Sequence, residues 1–152
     1  MAAAVNLVGT DCWTVSGVSD ASAFFQAIPL FVPDATHMFL EGAPAPAIVN
    51  IISVDLDAVP YRALVGTLWS WPRNHRFAVR ASPSLFARLA ETAGHHAQPG
   101  ICYHLHFYRD EEALVQWFDA FHDPLWISKT IPRERVETFS SAVGGVLAGT
   151  AA

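Results

Sequence analysis

Two histidines spaced two residues apart are the feature of this sequence best suited to chemistry. His104 and His106 lie in the run ICYHLHFY, whose alternation of side chains is typical of a β-strand. Side chains two apart on a strand share one face and lie about 6.5–7 Å apart. The pair could therefore hold a divalent metal such as zinc, with His37 or Glu41 as a further ligand. One H-x-H without fixed spacing to other ligands is a weak signal, so we expect no cofactor and keep the metal as the alternative.

A carboxylate at the end of a predicted strand offers a second kind of chemistry. Glu41 ends such a strand, and open α/β sheets bind ligands beyond the carboxyl ends of their strands. With His37 or His106 nearby, Glu41 could orient a general base. The alternative is that Glu41 only begins a turn. Together with Arg76 or Arg80 as an anion clamp, these residues define an enzyme hypothesis of the metal-dependent or hydrolase type.

The run WSWPRNHR interleaves aromatic and basic side chains. Trp69, Trp71, Arg73 and Arg76 belong to it, and Arg80 follows closely. Such a pattern can hold single-stranded nucleic acid or sugars, but Trp and Arg are also typical anchors of protein interfaces. Nine basic against fourteen acidic residues give a net charge of −5, which disfavours nucleic acid. A protein interface or self-association is therefore the best functional interpretation, and a loop anchored by two buried Trp is the structural one.

Helix and strand patterns alternate along the chain. Strands are predicted over Thr36–Glu41, Arg76–Ala81, Ile101–Tyr108 and Leu125–Ile131, and helices from Asp20, Ser82, Asp110 and Pro132. This alternation predicts βαβ units and a mostly parallel sheet. Each strand has one apolar and one amphipathic face, which favours a two-layer α/β sandwich with helices mainly on one face. The amphipathic face is then open or covered by the N-terminal and middle segments. A three-layer doubly wound sheet is the alternative.

Length and composition predict one globular unit. The 152 residues fit a single α/β domain over residues 1–143, followed by a flexible Ala/Gly-rich tail over residues 144–152. A hydrophobic share of 52% against 15% charged residues excludes a disordered chain. The sequence lacks a convincing signal peptide and an apolar run long enough to cross a membrane. Its two cysteines have no metal or redox spacing. We expect a soluble cytoplasmic protein.

Several motifs that identify nucleotide-binding proteins, hydrolases and metal sites are absent from the sequence. The sequence contains no glycine-rich phosphate loop, no G-x-S-x-G elbow and no paired Cys/His metal motif. Its acidic charge would suit a basic partner. We therefore expect a non-catalytic α/β domain that binds a protein partner as a regulatory, adaptor or inhibitor-type module. The alternatives are an enzyme on the His/Glu/Arg face, and a small-ligand-binding domain that uses the same face without chemistry.

Overall fold

Strands and helices of the protein are described here from a computed structural model, which covers residues 7, 10–30, 32, 36–54, 56, 75–97, 100–110 and 112–149. Within these residues the strands are β1 Cys12–Ser16, β2 His37–Gly42, β3 His75–Arg80, β4 His104–Arg109, β5 Glu112–Trp117, β6 Leu125–Ser128 and β7 Val146–Gly149. The α-helices are α1 Ala21–Ala27, α2 Pro46–Val54, α3 Pro83–Ala93 and α4 Arg133–Ala142, and a 3-10 turn, Ile28–Leu30, follows α1.

The seven strands form one sheet in the order β3-β2-β4-β5-β6-β1-β7. Every pair of neighbouring strands is antiparallel, so the predicted mostly parallel sheet is wrong, and so is its doubly wound alternative. One reason is that α3 connects two strands, β3 and β4, that are not neighbours in the sheet. Because β3 and β4 are both antiparallel to β2, they run in the same direction, as a βαβ unit requires, but β2 lies between them. A helix between two strands fixes their directions without making them neighbours.

A second reason is that β5 was predicted to be a helix. Asp110 was expected to cap that helix, but it has a left-handed backbone, with φ of 52°, in the short connection between β4 and β5. Such a conformation favours Asp, Asn or Gly and suits a tight hairpin turn. Strands β4, β5 and β6 are therefore consecutive antiparallel neighbours, which removes the helix that a parallel crossover would need.

Two predicted helix starts are confirmed by their capping hydrogen bonds. Asp20 accepts a hydrogen bond from the main-chain N–H of Ala23 at 3.1 Å, and Ser82 accepts one from Leu85 at 3.1 Å. Each cap satisfies one of the main-chain donors that the first helical turn leaves free. Helix α3 ends at the C-cap residue Gly94, whose backbone is right-handed with φ of −63°.

All four helices pack on one face of the sheet. Phe24 of α1 lies at the centre of that core, with the rings of Trp117, Phe121 and Phe139 at centroid distances of 4.8, 6.2 and 5.9 Å. Such aromatic pairs contribute about 0.5–1.5 kcal/mol each beyond the area they bury. This core packs against one face of the sheet only.

The opposite surface of the sheet, called the second face below, has a smaller apolar cluster and most of the polar side chains. Its apolar members are Leu7, Phe39, Ala78, Tyr108 and Ala113, against which Phe118 and Trp126 pack. Leu7 belongs to no strand, and its side chain packs on the second face. No residue of the four helices belongs to this cluster.

One extra residue in β5 shifts its register against β4. Phe107 lies opposite Val115, but Tyr108 lies opposite Ala113, so Leu114 is inserted between them. This is a β-bulge, which changes the face on which the following side chains lie. As a result Trp117 enters the core on the helix side.

The C-terminal end of the described chain joins the sheet. Residues 146–149, which the sequence placed in a tail, form the edge strand β7 and pair with β1. The apolar run Ile48–Val54 belongs to α2. Within the described residues, no helix is long and apolar enough to cross a lipid bilayer.

Replacement of Gly42 is expected to destabilise the sheet end that carries Glu41. A Cβ at Gly42 would lie 2.8 Å from the main-chain nitrogen of Tyr103, which backbone movement alone can relieve. We expect Gly42→Ala to lower the free energy of unfolding by about 1–3 kcal/mol, as other overpacking substitutions do. Urea denaturation measures this change.

Gly94→Ala is the matched control. A Cβ there would meet its nearest atom, the carbonyl oxygen of Glu91, at an ordinary 3.7 Å. Because the backbone of Gly94 is already right-handed, the change should be neutral or stabilise by about 0.4–1 kcal/mol. Equal effects of the two substitutions would contradict the close approach of β2 to Tyr103.

Candidate functional site

The antiparallel register places three predicted site residues in one row of the second face. Glu41 of β2 lies directly opposite Arg76 of β3 on one side and His104 of β4 on the other. Side chains opposite each other on neighbouring strands have Cβ atoms about 4.5–5.5 Å apart. Residues that are far apart in sequence therefore meet because β2 lies between β3 and β4.

Glu41 is the buried charge of this row. Its carboxyl group is fully buried, and its Oε1 lies 3.7 Å from Nε of Arg76, whose side chain is 38% exposed. A carboxylate is removed from water at a large cost unless cations or hydrogen-bond donors compensate it. The Arg76 guanidinium supplies part of that compensation and remains in contact with solvent.

The main chain at the end of β5 orients His104. Nδ1 of His104 accepts a hydrogen bond from the N–H of Asp119 at 3.0 Å, so the proton of the neutral imidazole lies on Nε2. Desolvation lowers the pKa of His104, and the charges of Glu41 and Asp119 partly oppose this effect. The main chain of Asp119 has a left-handed conformation, with φ of 49°.

His106 is held in the same way but is completely buried. Its Nδ1 accepts the main-chain N–H of Trp117 at 3.2 Å, which again leaves the proton on Nε2. Burial, and to a smaller extent the charge of His104, lowers the pKa of His106 to about 3, so its ring is neutral at physiological pH. Among the described residues, none provides a hydrogen-bond partner for Nε2 of His106. A buried donor left in this state costs about 1–3 kcal/mol.

The two imidazole rings are nearly parallel. Their centroids are 6.4 Å apart with an interplanar angle of 11°, and the ring of Phe118 lies 6.0 Å from His104 and 4.9 Å from His106. Both Nδ1 atoms accept main-chain N–H groups, from Trp117 in β5 and from Asp119 just after it, so each neutral ring carries its proton on Nε2. On the neighbouring strand β2, Phe39 is opposite His106 and Glu41 is opposite His104.

This hydrogen-bonding pattern fits a donor role for both histidines. A metal bound at Nε2 would require a proton on Nδ1, where a main-chain N–H already donates. A general base would likewise need an unprotonated ring nitrogen that is available to substrate. The zinc alternative and the base role predicted for His104 and His106 are therefore disfavoured. No group of three or more His, Cys, Asp or Glu side chains is placed to hold a metal in the part of the chain that the structure describes.

The remaining predicted site residues are not brought to this row. His37 and Arg80 lie opposite each other, and His37 also faces Tyr108, at the other end of β2. Four residues separate His37 from Glu41, which is about 13 Å along a strand. His37 therefore cannot join Glu41 and His104 in one ligand set.

The predicted protein interface is only partly described. Trp69, Trp71 and Arg73 lie outside the described residues, so their role in binding stays a prediction. Arg76 contacts the buried carboxylate, and Arg80 is exposed on the second face.

Sequence reasoning missed Gln116, which anchors the second face beside the site. Its side-chain carbonyl accepts the main-chain N–H of Leu7 at 2.6 Å, and its amide donates to the hydroxyl of Tyr108 at 3.1 Å. Gln116 lies directly opposite His106. A single amide within the apolar run ALVQWF was the available signal, but the helical interpretation of this segment concealed it.

Comparison with protein-family models, curated proteins and solved structures finds no match to this chain. The chemistry of the second face is therefore inferred from its own residues and contacts.

Burial of a neutral His106 should make stability depend on pH. The unfolded state takes up a proton near pH 6.5, whereas the native state does so only near pH 3. Between these values the unfolded state binds more protons, so the free energy of unfolding falls with decreasing pH by up to about 1.4 kcal/mol per pH unit. Urea denaturation between about pH 7 and pH 5 measures this slope.

The variant His106→Asn isolates this contribution. Its side-chain carbonyl can accept the N–H of Trp117 in place of Nδ1, but it does not titrate. We expect the slope of the variant to be smaller by about one proton. An unchanged slope would contradict the neutral burial of His106.

Proposed function

We propose that the protein binds a small molecule on its second face, where Nε2–H of His106 donates a hydrogen bond to an acceptor atom of the ligand. One observation carries the proposal: this donor is buried and has no acceptor among the described residues. Buried polar groups in native proteins nearly always have partners, and exceptions concentrate at functional sites.

The surroundings of His106 match the usual composition of ligand sites. Phe39 and Phe118 provide apolar surface beside the imidazole, and Glu41 and His104 provide a few polar groups in fixed positions. Small-molecule sites typically have mostly apolar walls with a small number of oriented polar groups. The main-chain hydrogen bonds to both imidazoles orient the donors before any ligand binds, which reduces the entropy cost of binding.

Exposure increases along β4 toward its start. His106 is buried, and His104 is half-buried. Arg76, in the same row as His104, is 38% exposed. A ligand would therefore approach His106 from the side of His104 and Arg76.

This function corresponds to the small-ligand alternative rather than to the protein-binding module that composition favours. The orientation of the imidazoles supports ligand binding directly, whereas the protein-binding prediction depends on Trp69, Trp71 and Arg73. A base-catalysed reaction is less well supported, because both imidazoles carry their proton on Nε2.

Fragment screening by NMR tests this function. Small acids, amides, amines and alcohols are added singly at millimolar concentration to the labelled protein, and amide shifts are followed. We expect at least one class to shift the signals of Phe39, His106 and Phe118, and His106→Asn to abolish that effect. The exposed His95→Asn is the matched control and should bind as the wild type does. Shifts confined to other surfaces, or no shifts at all, would overturn the proposed function.

A further inference from the structure

We propose that a cavity between the start of α1 and the end of α3 binds a small primary amine, whose ammonium group pairs with the carboxylate of Asp20. The cavity has a volume of about 460 Å³, within the range of about 300–1,000 Å³ that small-molecule sites occupy. The helices pack on the opposite side of the sheet from the second face, so this site is separate from the one around His106. The described residues that line it are 19–22 at the start of α1 and, at the end of α3, Ala93, Gly94, His96 and Ala97.

Hydrogen bonds fix the wall of this cavity in place. Oγ of Ser22 donates to the carbonyl oxygen of Ala90 at 2.8 Å, which joins α1 to the last turn of α3. The carboxylate of Asp20 is oriented by the N-cap hydrogen bond that its Oδ1 accepts from the N–H of Ala23 at 3.1 Å. Both polar side chains are therefore in position before a ligand binds, which limits the entropy cost of binding.

Asp20 gives the cavity its negative charge. Within the described part of the chain it forms no ion pair, and one hydrogen bond, from Ala23, reaches its carboxylate. A carboxylate has about four lone-pair positions, so others are available to a ligand. The two helix ends carry about half an elementary charge each and of opposite sign, so their contributions largely cancel. The last turn of α3 contains no basic residue, and the whole chain has a net charge of −5, so the cavity attracts cations.

An organic ammonium group fits this cavity better than other ions do. Calcium requires about six to eight oxygen ligands, whereas Asp20 is the only carboxylate among the described lining residues. An anion would be repelled by that carboxylate. The same lining residues include no aromatic ring, so a quaternary ammonium would lack the cation–π contacts that usually recognise it. A primary ammonium instead donates hydrogen bonds, for which Asp20 and the hydroxyl oxygen of Ser22 are acceptors.

Small apolar side chains suit the rest of the ligand. Ala21 and Ala93 are buried, and with Ala97 they line the cavity with methyl groups. A short alkyl chain can remove its CH₂ groups from water against these methyl groups, which favours binding. The expected ligand is therefore a primary amine with a short alkyl chain.

Butylamine, butanol and pentanoate test this inference, because they share a butyl group and differ in the polar end. At pH 8 butylamine is a cation, since alkylammonium groups have pKa values near that of lysine, about 10.4, and pentanoate is an anion. Titrations followed by NMR at an ionic strength of about 0.01 M leave the attraction little screened. We expect butylamine to shift the amide signals of Ala21, Ser22 and Ala93. Butanol and pentanoate should bind there at least about threefold more weakly, as expected for loss of a solvent-accessible ion pair.

The variant Asp20→Asn tests the role of the charge. Asn caps helices as well as Asp does, so the start of α1 is kept while the charge is removed. Butylamine should bind this variant about threefold to fivefold more weakly than the wild type. Glu134→Gln is the matched control, because it removes the same charge from an exposed carboxylate of α4 and should leave binding unchanged. The amide spectrum of each variant establishes that it is folded before its binding is compared.

Three results would overturn the inference. The first is equal binding of butylamine and butanol, and the second is an equal effect of Asp20→Asn and Glu134→Gln, since in either case the carboxylate of Asp20 would not hold the ligand. The third is the absence of butylamine shifts at the lining residues. None of these results bears on the ligand of His106, which is tested by shifts on the second face.

Discussion

The β-bulge in β5 determines which of its side chains lie on each face of the sheet. Because Leu114 is inserted into the strand, the following residues change faces, and Trp117 enters the core while Gln116 lies opposite His106. The main-chain N–H of Trp117 is then 3.2 Å from Nδ1 of His106. A single inserted residue thus determines both the burial of Trp117 in the core and the hydrogen bond that orients His106.

The aromatic core supports the site from the helix side of the sheet. Phe121 has φ of 72°, a conformation that costs a non-glycine residue about 1–2 kcal/mol. Its ring is buried 4.6 Å from Trp117 and 6.2 Å from Phe24, and this burial offsets the strain. The same connection presents the N–H of Asp119 to His104. Core packing therefore fixes the two main-chain donors that orient the imidazoles.

Local features of this protein could be predicted from its sequence, whereas strand pairing could not. The caps at Asp20 and Ser82 follow from short-range hydrogen bonding, and period-two alternation places His104 and His106 on the same face. Strand neighbours depend on contacts between distant segments, so the row formed by Glu41 with Arg76 was not predicted. The bulge also interrupts the alternation of β5, which made its apolar residues resemble a helix.

We conclude that main-chain hydrogen bonds hold His104 and His106 as neutral imidazoles with the proton on Nε2. Long-range proton–nitrogen NMR correlation of the histidine side chains at pH 7 tests it most directly, because protonated and unprotonated ring nitrogens have distinct shifts. We expect an unprotonated Nδ1 and a protonated Nε2 in both rings. A proton on Nδ1 of His106, or an imidazolium at that position, would contradict it.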